Sequence, residues 1–169
     1  MHVFPDYCVT MARYNAWQNT QLRAAFDTLS DAELCADRKA FFGSIFTTAN
    51  HILWADRMWM ARLGIGEAPD GDHLTLTPTP AVWAGERYKT DARLLHWAEH
   101  LHAVDLKGDV NWRSVMANRD FSHPFDLCVM HLFNHQTHHR GQIHAMLTAA
   151  GAEAPVTDIL FMPENGPLL

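Results

Sequence analysis

Apolar residues recur at helical spacing along most of the chain. From about residue 6 to 29, Leu22, Phe26 and Leu29 fall at i, i+4, i+7, and Cys8, Ala12, Ala16 and Asn19 continue that side, which predicts a first long helix. Ser30 and Glu33 carry a capping-box pattern, so a short helical turn is expected over about 31–36. Ser44 opens a second long helix reaching about 63; Ile45, Ile52, Ala55 and Trp59 lie on one side of it and Gly64 stops it. Gly64 to Pro80 is rich in Gly and Pro and predicts a connecting loop. Thr79 and Pro80 read as N-cap and N1 of a third long helix to about 103, with Leu94, Ala98 and Leu101 at core spacing. Lys107 to Ser122 is polar and Gly-broken and reads as a short hairpin or an irregular loop. Pro124 reads as N1 of a last long helix to about 149, with Phe125, Val129, Phe133 and Ile143 as apolar positions and Gly151 at its end. One further helical turn is expected near 157–161. Four long amphipathic helices without a convincing strand series predict an all-α bundle in a single domain over residues 1–169.

Composition narrows the function classes. A chain of 169 residues with 48% apolar content is long enough for one packed core. A net charge of −6 argues against a nucleic-acid surface, which needs a basic stripe. Cys8, Cys35 and Cys128 are widely spaced and form no C-x-x-C; an odd number fits reduced thiols in the cytoplasm better than a disulfide frame. The N-terminal residues show no basic region followed by an apolar run, so no signal peptide is expected, and no apolar stretch approaches the ~18–20 residues of a membrane span. The expectation is a cytoplasmic protein with no membrane or nucleic-acid partner. Histidine is the outlier, with twelve residues.

His135 and His139 stand four apart, which on a helix stacks two imidazoles on one face with Cβ atoms about 5–6 Å apart. Neutral imidazole is the commonest protein ligand for Zn, Ni, Cu or Fe. His131 is one turn earlier on the same stripe, His138 is turned about 100° away, and His144 is off it. The pair lacks the glutamate of a zincin, no paired cysteines supply thiolates, and Glu99 with His102 gives the spacing of a di-iron site only once. What remains is one site of nitrogen ligands, completed from another helix. His51 is the best candidate, because it lies within the apolar stretch Ala49–Trp54, where an unpartnered ionisable group is costly. His96, His100 and His102 compete, but Lys89, Asp91, Arg93 and Glu99 mark that helix as partly solvated.

Three protein ligands leave a coordination position open, the pattern of a catalytic site, and such a site suits the activation of water or of a thiol. The sequence carries no Ser/His/Asp or Cys/His signature and identifies no general base. Around the histidines, Arg140 reads first as a structural ion pair and second as an anchor for an anionic substrate. Gly141 reads as a close helix approach or a tolerated glycine. Asn50 and Asn134 read as hydrogen-bond partners of the ligands or as helix packing, and Trp54, Met58 and Trp59 as core or as the mouth of a pocket.

Asn134-His135-Gln136-Thr137-His138-His139-Arg140-Gly141-Gln142-Ile143 resembles the last-helix signature of the DinB family, the DinB/YfiT-like metalloenzymes. Asn50–Trp59 resembles its second-helix motif, Ala12–Trp17 its first and Ala154–Phe161 its C-terminal one. The resemblance implies a four-helix bundle of up-down-down-up topology with short extra helical turns. It places the metal ligands on His51, His135 and His139 and implies one divalent ion, Zn or Ni before Fe or Co. It also implies a homodimer, with the exposed faces of the first and last helices as candidate surfaces, and a small-molecule substrate. Relatives include thiol transferases that use bacillithiol, mycothiol or glutathione, and a mycothiol-dependent isomerase. The leading expectation is therefore a metal-dependent transferase with a low-molecular-weight thiol as co-substrate. A metal-dependent hydrolase, a stress-associated metal or small-molecule binder without turnover, and a structural protein with vestigial histidines stay open.

Overall fold

The computed structural model describes residues 3–114 and 117–164. Five helices and one hairpin follow in the order α1 (Pro5–Phe26), α2 (Asp31–Cys35), α3 (Ile45–Arg62), α4 (Pro80–Glu99), β1 (Asp109–Ser114), β2 (Arg119–Pro124) and α5 (Phe125–Ala149), with a 3-10 turn at Ile159–Phe161. The expected all-α bundle is present, with the hairpin added to it. The four long helices form a ring of neighbours in which α1 packs on α4 and α5, and α3 packs on α5 and α4.

Local chemistry sets the boundaries. Ser30–Glu33 and Ser44–Thr47 both make reciprocal capping boxes, which start α2 and α3. Thr79 caps α4, and Pro80 follows where its missing N–H costs nothing. α1 ends at Phe26, earlier than the pattern suggested, because Thr28 and Leu29 donate to Ala25 and Phe26 in a tightening turn that leads into the extended Ser30 cap. α4 likewise stops at Glu99 and not near 103; the Asp105 carboxylate takes the His102 N–H at 2.8 Å and begins a separate turn. Pro124 is not N1 of the last helix. It ends β2 and occupies the N-cap of α5 in extended conformation. In the hairpin, Trp112 lies opposite Phe121 and Val110 opposite His123, and Val110 is buried.

The core is two apolar clusters separated by a polar layer. Cys8, Ala12, Met60, Leu94, Val129 and Phe133 belong to one cluster; Leu22, Ile45, Leu53, Trp83, Ile143 and Leu147 belong to the other. Burying each large aliphatic or aromatic side chain contributes about 1.5–3 kcal/mol. Between the clusters every long helix contributes buried polar groups: Asn15 and Asn19 from α1, Asp56 from α3, Arg87 and Asp91 from α4, Gln136 and Arg140 from α5. Arg87 pairs with Asp56 at 2.6 Å and with Asp91 at 2.7 Å. Asp91 accepts from Asn15 at 2.7 Å and from Asn19 at 3.0 Å, and Asn15 in turn accepts from Arg140. Two buried carboxylates thus face two buried guanidiniums, and a slip of any one helix would strand a charge in a low-dielectric interior.

Candidate metal centre

Local folding brings His51, His135 and His139 together. α3 and α5 pack side by side, and the α5 spacing puts His135 and His139 on the flank that faces α3. One ring nitrogen from each residue lies within 4.8 Å of the other two. His51 Nε2 is 3.4 Å from His135 Nε2, and His135 Nε2 is 3.1 Å from His139 Nε2. Tetrahedral zinc with bonds of 2.0–2.1 Å sets its nitrogen ligands about 3.3 Å apart, close to these two spacings.

The second nitrogens are arranged to match. His139 Nδ1 donates to Gln142 Oε1 at 2.7 Å, which leaves its Nε2 as a bare lone pair turned into the site. His51 Nδ1 lies 2.9 Å from His73 Nδ1; when His51 donates there, its Nε2 is also a bare lone pair. His135 has only one Nε2 to offer to two converging lone pairs, and its buried Nδ1 has no hydrogen-bond partner among the described residues. A cation at the common point satisfies all three rings where a proton satisfies fewer. Burial favours the neutral rings, and the neighbouring imidazoles add to it: His51 is pushed down to about 4 and His135 to about 3. His139 is lowered for the same leading reason, against the opposing effect of the hydrogen bond it donates to Gln142. The rings are therefore in the ligating form at neutral pH.

Residues outside the three histidines hold the cluster in shape. Asn50 Oδ1 accepts from the Thr77 N–H and hydroxyl, both at 2.8 Å, and Trp54 Nε1 donates to the Gly71 carbonyl at 3.2 Å. These flank His51 on α3 and pin the Gly/Pro-rich loop so that its His73 meets His51. Asn50 thus acts on the loop and not on a histidine directly. On the other side the Phe42 ring covers His51 and His139, with centroids at 4.1 and 5.3 Å. The Thr47 hydroxyl, part of the α3 capping box, donates to the Phe42 carbonyl and holds this cover.

The remaining sequence candidates separate clearly. His96, His100, His102 and His138 are exposed and stand outside the cluster, as does His144. His131 meets the Trp59 ring at a tilt, one turn before His135, and does not join the three. Arg140 is buried in the polar layer and donates to Asn15, and its guanidinium is lowered to about 10 by burial. Gly141 is exposed, and a Cβ there would meet nothing within 4 Å, so it allows no close helix approach. Asn134 is exposed. His73, Phe42 and Gln142 were not singled out from sequence. His73 and Phe42 lie in loops where no periodicity points inward, and the general histidine excess was the only signal.

The DinB family model matches residues 1–166. Among solved structures the chain is similar to a DinB-like protein from Bacillus cereus ATCC 10987. The two are 20% identical, with a TM-score of 0.64 over 83% of this chain and 90% of that one, a likeness of fold. No curated protein matches the chain.

Proposed function

The chain belongs to the DinB family, and we propose that it is a divalent-metal-dependent transferase that uses a low-molecular-weight thiol, with His51, His135 and His139 as the metal ligands. The convergence of three neutral imidazoles, two of them backed by a hydrogen bond on the far nitrogen, carries this reading. A divalent ion in such a site supplies Lewis acidity that favours the deprotonated form of a thiol or water sharing it. His51, His135 and His139 contribute three donors and leave room for an outside one. His73 and Gln142 fix ring orientation, and Phe42 covers one side and excludes water there.

The protein's own buried thiols are unsuited to nucleophilic work. Burial pushes Cys8 up to about 12 and raises Cys128 as well, so both stay protonated. An external thiol as co-substrate agrees with this. Thermal-shift measurements with zinc-loaded and metal-free protein against glutathione, bacillithiol and mycothiol test the reading. Stabilisation by one of these thiols in the zinc-loaded form alone is expected. No response to any thiol in either form would overturn the transferase and leave a hydrolase or a binding protein.

A further inference from the structure

Beside the three histidines, α3, α5 and the hairpin together wall an aromatic cleft of about 380 Å³, formed by Trp59, Trp112, Phe121, His123, Cys128 and His131, with Leu127 at its rim. We propose that this cleft is the subsite for a flat apolar group of the substrate, an aryl group joined by a short aliphatic spacer to the atom that meets the metal. The inference rests on the metal-centre reading above and adds the substrate class.

Adjacency of the two sites is the first argument. His131 is the shared wall: its ring centroid is 4.5 Å from that of Trp59 in the cleft and 5.6 Å from that of His135 in the metal centre. His131 precedes His135 by one turn of α5, about 6 Å along the helix. One small molecule spans that distance. The volume lies at the lower end of the range for small-molecule pockets, about 300–1,000 Å³.

The walls argue for a ring as occupant. Trp112 and Phe121 stack across the hairpin at 5.2 Å and 12°, and Trp59 meets Trp112 edge to face at 5.3 Å. The Arg62 guanidinium lies over both indoles, at 4.6 and 5.0 Å, and holds them in place. The rings are therefore preorganised, and their faces and edges suit another π-system. The Cys128 thiol on the wall is kept neutral by burial, so that surface is apolar as well. Leu127 sits at the exposed rim, where a charged side chain can be introduced without entering the core.

Calorimetric titration of zinc-loaded protein with 4-phenylbutane-1-thiol and with butane-1-thiol tests the proposal. The aryl thiol is expected to bind about tenfold tighter. In Leu127→Arg and in Trp112→Ala, with zinc retained and the circular dichroism unchanged, the advantage should shrink to about twofold or less. Leu127→Arg serves if Trp112→Ala fails to fold. Equal affinity for the two thiols in the unaltered protein, or an advantage that survives in Leu127→Arg, would overturn it. Failure to bind zinc would sink the metal-centre reading separately. The cleft is then judged with 4-phenylbutan-1-ol on metal-free protein: binding that Leu127→Arg abolishes supports the subsite, and no binding to the unaltered protein overturns it.

Discussion

His73 Nδ1 stands 2.9 Å from His51 Nδ1, on the ring nitrogen that does not face His135. A loop residue thereby sets the orientation of a helix residue whose other nitrogen points at the proposed ion. Removing such an outer partner typically costs 10–100-fold in metal affinity. His73→Ala is expected to weaken zinc binding by about that factor while leaving the unfolding of metal-free protein nearly unchanged. Competition against a chromophoric chelator measures it, and unaltered affinity would remove His73 from the account.

Acid should loosen the metal-free protein through the same rings. The native site holds His51 down to about 4 and His135 to about 3, chiefly by burial, whereas an unfolded chain titrates near 6.5. Between those values the unfolded chain binds protons that the native site refuses, so stability rises with pH. The contribution is fully present above about pH 6.5 and is lost as pH falls toward 4. Asp91, pushed up to about 6 by burial, works with the opposite sign, so a variant is needed to isolate the rings. The Tm of metal-free protein relative to His135→Asn should fall between pH 7 and 4.5. A difference that stays constant over that range would contradict the burial argument.

Arg87 bridges two buried carboxylates on different helices, at 2.6 Å to Asp56 and 2.7 Å to Asp91. Arg87→Met leaves both acids without their counter-ion in the interior. The expected loss is about 3–5 kcal/mol by urea unfolding at pH 7, far more than an exposed pair such as Lys39–Asp37 would cost. A loss below about 1 kcal/mol would mean that the polar layer is better solvated than its burial implies.

The long helices were legible because apolar residues repeat at helical spacing and Ser44 and Thr79 announce two of the starts, as Ser30 does for the short α2. The three-histidine set was legible from the spacing of His135 and His139, the setting of His51 and the resemblance of the surrounding motifs. The polar layer was not. Asp56, Arg87 and Asp91 are charged residues on amphipathic helices, and sequence reasoning assigns such residues to the solvated face. Only packing reveals that they neutralise one another inside. Asn19 was placed on the buried side, but its partner Asp91 lies 72 positions away, beyond the reach of any local pattern. His73 and Phe42 were hidden for a related reason. Loop residues acquire a direction only when the loop is tied down, and the ties run through Asn50, Trp54 and Thr47 on α3.

Metal content of untagged protein, measured by mass spectrometry of the purified chain with and without zinc reconstitution, tests the central claim most directly. The account predicts one divalent ion per chain, reduced to a trace in His51→Ala and in His135→Ala while both variants remain helical. A chain that takes up no stoichiometric metal, or one whose metal survives in both variants, would contradict it.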